Sequence, residues 1–167
     1  NTKSGNSSLI LDGGMVTGRV NLGNGSHVVS ISNGAKLNGG LVQTGGVTDL
    51  SMNNGQLQLF SENPIDVSNA SISDGSTISF DIAGGGQVGG VSILDASGQV
   101  TIDAGTQILA TVSGIIDDSE TYTIIRSNSL VVGAPLNDIV TVSNSFMNNI
   151  EFSFDASDSN AIQVTVD

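Results

Sequence analysis

Closely spaced glycine turns divide most of this chain into short segments and limit the length of any regular element between them. Taking one glycine from each of several turns gives intervals of 9, 11, 10, 20 and 10 residues for Gly25, Gly34, Gly45, Gly55, Gly75 and Gly85. Glycine readily adopts the positive φ that a tight reversal requires. The spacing predicts a weak internal repeat of about ten residues that doubles to about twenty.

The segments between these turns alternate apolar and polar residues with period two. Ile78, Phe80 and Ile82 share one face of such a segment, and Val100 and Ile102 share one face of another. This pattern predicts half-buried β-strands. No apolar stripe with helical spacing extends over a helical length, so no α-helix is expected. With five Phe, one Tyr and no Trp, the core is expected to consist of aliphatic, largely β-branched side chains.

Many short, evenly spaced strands are compatible with an antiparallel sandwich or with a solenoid of parallel strands. Small Asn, Ser, Gly and Thr residues fill the turns and the polar faces with little variation along the chain. A solenoid requires this regularity, because each coil lies about 4.8 Å above the previous one with its side chains in register. We therefore predict an all-β fold in the form of a parallel β-helix.

The last third of the chain has a different pattern. An acidic loop is expected at residues 115–120, a strand at 122–125 and a further loop at 135–138. Residues 150–155 and 162–167 both alternate and are separated by the polar stretch 156–160, which predicts an antiparallel hairpin. The end of a solenoid exposes unpaired backbone groups and core side chains, so we predict that this hairpin is the C-terminal cap that covers them.

Alternation also places six large side chains of this last third in the interior, namely Ile102, Val112, Tyr122, Ile124, Phe152 and Phe154. In a solenoid each coil is buried only against its neighbours, so the first coils to form carry the cost of nucleation. A stable end can then drive the ordering of the rest. We expect the C-terminal third to be that nucleus and to unfold last in denaturant.

The charge and cysteine content exclude several classes of function. Sixteen acidic and four basic residues give a formal net charge of −12, which disfavours nucleic acids and anionic membrane surfaces as partners. The chain has no cysteine, so disulfides, thiolate metal sites and a cysteine nucleophile are excluded. No apolar run approaches the roughly 18 residues of a membrane helix, and the chain is expected to be a fragment of a longer mature protein.

The sequence contains two candidates for catalytic residues. His27 is the single histidine, but no G-x-S-x-G motif accompanies it, and a position at the surface or at a strand end is expected. Asp117, Asp118 and Glu120 form the densest acidic group, although only Arg126 lies nearby as a cation. Glycoside cleavage needs two suitably spaced carboxylates, so this group keeps an enzyme among the alternatives.

The remaining motifs carry no chemistry of their own. Gly84-Gly85-Gly86 followed by Gly89-Gly90 lacks the lysine and the helix of a phosphate-binding loop and is expected to be an inter-coil turn. The calcium motifs of RTX repeats and of EF-hands are absent from the sequence. We therefore predict no catalytic, cofactor-binding or metal-binding residue, and no cofactor.

Residues 90–167 resemble the C-terminal part of the passenger region of autotransporters, the type V secreted proteins of Gram-negative bacteria. The similar features are the coil GQVTIDAGTQILATV at 98–112, an acidic spacer, ETYTII at 120–125, SLVVG at 129–133 and the closing run NAIQVTV at 160–166. In that family the region ends a right-handed β-helix and is an autochaperone. The resemblance implies β-helix coils of the passenger stem at 1–90, and C-terminal coils with an autochaperone-like cap at 91–167, in one continuous domain.

The resemblance also implies where the protein acts and with what. It indicates a non-catalytic extracellular stem and folding scaffold at the bacterial cell surface, which supports adhesion or autoaggregation. The implied partners are the protein's own outer-membrane translocator barrel, a host-surface glycan or protein, and other copies of itself. The linker helix, the barrel and an N-terminal effector domain expected in the family are not in this chain. The alternative function is a carbohydrate-active β-helix enzyme, a polysaccharide lyase or hydrolase.

Overall fold

The fold is nearly all β. The computed structural model describes residues 5–83, 92–113, 119–142 and 149–167. Of these residues, 66% lie in strands and 3% in helix. The strands in chain order are β1 (Ser7–Asp12), β2 (Met15–Thr17), β3 (Val20–Gly23), β4 (Ser26–Ser32), β5 (Lys36–Asn38), β6 (Leu41–Gln43), β7 (Val47–Asn53), β8 (Gln56–Phe60), β9 (Ile65–Ile72), β10 (Thr77–Ala83), β11 (Leu94–Ile102), β12 (Gln107–Ser113), β13 (Glu120–Val132), β14 (Val140–Val142), β15 (Ile150–Phe154) and β16 (Ala161–Val166).

These strands form three sheets that the chain visits in turn. Sheet A has the order β1-β4-β7-β9-β11-β13-β16-β15, sheet B has the order β14-β12-β10-β8-β5-β2, and sheet C pairs β3 with β6. All pairs from β1 to β14 are parallel. The parallel strands predicted from the sequence are confirmed, and an antiparallel sandwich is wrong for the described part of the chain.

The pairing period is longer than the spacing of the turns. Ser7 pairs with His27 and His27 pairs with Thr48, so the first repeats contain about twenty residues. Further along, Val100 pairs with both Ala70 and Leu130, which lie thirty residues away on either side. One ten-residue unit therefore corresponds to a single strand with its turn, because the chain must cross at least two sheets before it returns to the first.

Parallel register stacks the apolar residues of sheet A in two inward columns. One column contains Leu9, Val29, Leu50, Ala70, Val100 and Leu130, and the other contains Leu11, Ile31, Met52, Ile72, Ile102 and Val132. From β4 to β11 the members of both columns are at most 3% exposed. Burying one such aliphatic side chain stabilises the fold by about 1.5–3 kcal/mol, so the columns are a main source of stability.

Glycines lie where successive strands approach most closely at the turns. Gly46 has a φ of 82°, and a Cβ added there would overlap the carbonyl oxygen of Gly25 in the preceding repeat. Gly39 has a φ of 113°, and its Cβ would lie 2.6 Å from the backbone carbon of Gly18. These glycines permit a reversal and a close approach of two backbones at the same position.

The predicted C-terminal hairpin is confirmed. β15 and β16 pair antiparallel, and β16 also pairs antiparallel with β13, so the hairpin lies beyond the last parallel strand of sheet A. Ile162, Val164 and Val166 of β16 are fully buried. The hairpin therefore covers the open edge of β13 with both backbone hydrogen bonds and apolar side chains.

Several local predictions need correction. Residues Leu136–Ile139 form one helical turn, α1, where a loop and no helix were expected. Phe154 is 43% exposed rather than buried, because it ends β15 at the edge of sheet A, where none of the described strands lies beyond it. Tyr122 and Ile124 are buried as predicted, but Ile125 is buried too, since a register shift between Thr123 and Ile125 breaks the alternation.

Candidate functional site

The outward face of sheet A contains a shallow groove with both polar and apolar groups in its lining, which we call the outer trough. Its polar lining comes from neighbouring strands and consists of Asp49, Ser51, Asn69, Ser71, Gln99 and Thr101. The volume of the trough is about 460 Å³, and its apolar lining comes from Val28, Leu50 and Ala70. Because the lining extends from β4 to β11, the trough crosses three strand spacings, or roughly 14 Å.

The register of sheet A forms the outer trough. Ser30, Ser51, Ser71 and Thr101 pair from strand to strand and make a column of small side chains with hydroxyl groups. Beside it, Asp49 and Asn69 are paired, and Asn69 Nδ2 donates to Asp49 Oδ1 at 3.4 Å. Asn69 Oδ1 in turn accepts the backbone N–H of Gln99 at 3.0 Å. The larger amides and the carboxylate therefore form a ridge beside a low strip of hydroxyl groups.

His27 is buried, so a surface position is wrong for it, whereas the alternative position at a strand end agrees with its place at the start of β4. It is the second residue of β4 and is 2% exposed, on the same face as Val29. The Nδ1 atom of His27 lies 2.7 Å from the hydroxyl oxygen of Ser7, and Nε2 is buried with no hydrogen-bond partner in the described structure. The period of two along β4 was the signal for this burial, because His27, Val29 and Ile31 are two residues apart.

The structure does not show a site formed by the acidic group at 117–120. Asp117 and Asp118 lie outside the residues that the structure describes, whereas Glu120 is the first residue of β13 instead of a loop residue. Glu120 Oε2 accepts a hydrogen bond from the hydroxyl of Tyr122. Tyr122 is 1% exposed, so its ring is not available as a platform for a sugar.

The pKa of Asp155 is lowered by hydrogen bonds within its own turn. Its Oδ1 atom accepts the backbone N–H and the hydroxyl of Ser157 at 2.8 and 2.7 Å, and Oδ2 accepts Gln163 Nε2 at 2.9 Å. The hydrogen bonds from Ser157 lower the pKa of Asp155, with smaller contributions from the backbone of Asp158 and from Arg126. This carboxylate fixes the turn of the hairpin and is already occupied by those donors.

A second, smaller hollow lies near the C-terminal end. It has a volume of about 370 Å³ and is lined by Asn137, Val140, Ile150, Glu151 and Phe152. Glu151 is its single ionisable side chain among those lining residues. The hollow offers a recess between α1 and the hairpin in which none of the described lining residues adds a second carboxylate or a base beside Glu151.

Clusters of metal-ligating side chains and membrane-spanning helices are both absent from the described part of the chain. It holds no group of three or more His, Cys, Asp or Glu side chains that could share a metal ion. None of its helices is long and apolar enough to cross a membrane. The glycine-rich segment with Gly84-Gly85-Gly86 and Gly89-Gly90 lies outside the described residues, so its expected role as a turn stays a prediction.

Comparisons with family models, with curated proteins and with solved structures gave no significant match for this chain.

Proposed function

We propose that the chain is a right-handed parallel β-helix that acts as the non-enzymatic stem and folding scaffold of an autotransporter passenger outside the bacterial cell. The observation that carries this proposal is the arrangement of sheet A, where six parallel strands are followed by an antiparallel hairpin. Such a stack is rigid and elongates by adding strands, which suits a stem. The order of short motifs at 98–166 supports the secretion route.

The pairing across the middle of the chain supports one continuous scaffold. β9 pairs with β11, and β10 pairs with β12, so both main sheets extend from residues 1–90 into residues 91–167. Each strand is stabilised mainly by its two neighbours, and stability then spreads along the stack from any ordered segment. A segment that orders first can therefore template the strands that follow it.

The hairpin has the properties of a cap and a nucleus. It buries Ile162, Val164 and Val166 completely, and its strands pair through a short connection. Contacts between residues close in sequence form with little loss of chain entropy, so a hairpin orders before long-range parallel pairs. In an exported chain this would provide an ordered end on which the remaining repeats stack.

The outer trough is the proposed contact surface for adhesion or autoaggregation. Its hydroxyl, amide and carboxylate groups can exchange hydrogen bonds with a host glycan, with a host protein or with another copy of the chain. The net charge of −12 disfavours nucleic acid as a partner. For the alternative, a polysaccharide lyase or hydrolase, the trough lining contains a single carboxylate, Asp49, whereas glycoside cleavage needs two. No specific observation favours that enzyme.

A display assay tests the proposed scaffold role. The full chain is joined to the linker helix and translocator barrel of a type V secreted protein and expressed in a Gram-negative host. We expect surface display of the parent chain and a several-fold loss for Val164→Asn, because Val164 is buried between Tyr122 and Phe152. Thr165→Asn is the matched control, since Thr165 faces the other side of β16. Equal display of the two variants, or no display of the parent, would contradict the proposal.

A further inference from the structure

Four Asn-Gly pairs lie in the turns of the chain, and the structure places them in different surroundings. They are Asn24-Gly25, Asn33-Gly34, Asn38-Gly39 and Asn54-Gly55. In such a pair the backbone nitrogen of glycine can attack the side-chain carbonyl carbon of asparagine, because glycine has no side chain to hinder the approach. This reaction makes asparagine a thermolabile residue. It requires a glycine N–H that is free and an asparagine that can rotate.

Two of the pairs are held by the stacking of successive repeats. The backbone N–H of Gly34 donates to the carbonyl oxygen of Asn54 in the next repeat at 2.6 Å. Gly55 is buried, and its backbone nitrogen lies 3.5 Å from the hydroxyl oxygen of Ser76. These two glycine nitrogens therefore become free only when neighbouring repeats separate locally.

The pair Asn24-Gly25 meets both requirements of the reaction. Asn24 is exposed and lies between Gly23 and Gly25, at the corner that joins β3 to β4. Within the described structure, neither the side-chain amide of Asn24 nor the backbone N–H of Gly25 has a hydrogen-bond partner. The carbonyl oxygen of Asn24 accepts the N–H of Gly5 at 2.9 Å, and this bond leaves both reacting groups free.

The pair Asn38-Gly39 is intermediate between these cases. The backbone N–H of Gly39 also has no partner among the described residues. However, Asn38 is the last residue of β5, and its carbonyl oxygen accepts the N–H of Gly18 at 2.7 Å. Its Nδ2 atom lies 3.4 Å from the sulfur of Met15. Strand pairing restricts the backbone rotation that ring closure needs, so Asn38 is expected to react more slowly than Asn24.

From these differences we infer that Asn24 is a site of spontaneous deamidation in the folded protein. The backbone nitrogen of Gly25 attacks Cγ of Asn24, the Cγ–Nδ2 bond breaks, and ammonia leaves with the proton of that nitrogen. Water then opens the cyclic imide at either of its two carbonyl carbons. The products are aspartate and isoaspartate, and water is the only other reactant. The inference requires neither the secretion route nor the outer trough.

The isoaspartate product does not fit the corner of the stack. Its Cβ lies in the main chain, so the backbone at position 24 becomes longer by one atom. Neighbouring backbones are already in contact there, because a Cβ at Gly25 would lie 2.7 Å from the carbonyl oxygen of Gly5. On the other side, a Cβ at Gly46 would overlap the carbonyl oxygen of Gly25. Deamidation of Asn24 should therefore weaken the stacking of β4 on its two neighbours, β1 and β7.

Peptide mapping of the full, folded chain tests this inference. The protein is incubated at mildly alkaline pH in oxygen-18 water, which labels each imide hydrolysed during the incubation, and is then digested with trypsin in ordinary water. Asn24 and Asn33 fall in one peptide, residues 20–36, so fragmentation compares them directly. We expect Asn24 to react at least about tenfold faster than Asn33 and Asn54, whose glycine nitrogens must first be released by local opening. The same incubation in urea should bring the four rates close together.

Two variants test the effect of the product on the fold. The urea midpoint of the parent should fall during the incubation, whereas that of Asn24→Gln should stay constant, because glutamine does not form the same ring readily. Asn38→Gln is the matched control and should lose stability as the parent does. Equal rates at Asn24 and Asn33 in the folded chain, or no reaction at Asn24, would overturn the inference. A midpoint that falls equally in Asn24→Gln would contradict the weakened stacking.

Discussion

Replacing a single glycine tests the stacking of successive repeats without changing the core. Gly46 and Gly34 both have positive φ, at 82° and 77°, so alanine is strained at either position. They differ in what lies against the Cβ position. At Gly46 the added methyl group would overlap the carbonyl oxygen of Gly25, whereas at Gly34 no atom lies within 4 Å. Gly34→Ala is therefore a matched control for Gly46→Ala.

The size of the difference follows from one of three terms, because the other two are equal in both variants. An L-residue in the left-handed region costs about 1–2 kcal/mol, and this term applies equally to both variants. Overlap with fixed backbone atoms adds about 1–3 kcal/mol, and it applies to Gly46→Ala alone. The lower entropy of the unfolded chain offsets about 0.4–1 kcal/mol in each and cancels in the comparison. We expect Gly46→Ala to be less stable than Gly34→Ala by about 2 kcal/mol.

Urea unfolding followed by circular dichroism measures this difference. With an m-value of about 2 kcal/mol per molar, the midpoint of Gly46→Ala should lie about 1 M below that of Gly34→Ala. Equal midpoints for the two variants would refute the reasoning, because they would mean that no backbone lies against Gly46 in solution. A change in m-value alone would not count as support, since it reports the compactness of the end states.

Three further outcomes are expected. Phe80→Ala should lower the free energy of unfolding by about 3–5 kcal/mol, because Phe80 is fully buried. Ser79→Ala on the other face of β10 should change it by less than about 0.5 kcal/mol. Similar urea midpoints for the two variants would contradict the assignment of Phe80 to the inward face of β10. His27→Val removes a buried Nε2 without a described partner but also the contact of Nδ1 with the Ser7 hydroxyl, so it should stabilise the fold by about 1 kcal/mol in a Ser7→Ala background, where that contact is already absent; a loss of stability in that background would contradict an unsatisfied Nε2. Ser157→Ala should raise the pKa of Asp155 toward its ordinary value in a carbon-13 NMR titration, because a donor to the carboxylate is lost; a constant pKa would exclude that cause. Since the folded pKa of Asp155 is lowered, its contribution to stability is present above the unfolded pKa of about 3.9 and lost as the pH falls through the folded value.

Period-two alternation was enough to predict which residues of most strands face inward. Ile78, Phe80 and Ile82 are all fully buried, and Val100 and Ile102 are buried as well. The same rule applied to β4 would have placed His27 inside. A polar residue type masked that signal, because histidine is usually taken for a surface residue when no partner is evident.

Other features depend on neighbours that a single sequence does not reveal. Phe154 follows the alternation of β15, but its exposure results from the edge position of that strand in sheet A. The helical turn Leu136–Ile139 has four residues, which is too short for an apolar period to develop. The outer trough arises because Ser51, Ser71 and Thr101 come into register from three different strands. The polar composition predicted a surface capable of hydrogen bonding. The position of the groove on that surface could be found only from the strand register.

The central claim is that successive strands of sheet A stack parallel and in register, and spin-label distances test it most directly. The chain has no cysteine, so pairs of labels can be introduced at will. Ser30→Cys is combined in turn with Ser51→Cys, Ser71→Cys and Thr101→Cys, at outward positions one, two and three strands away. The stacking predicts interspin distances that increase in equal steps of about 4.8 Å. Distances that do not increase in this order, or that exceed about 25 Å for the last pair, would contradict it.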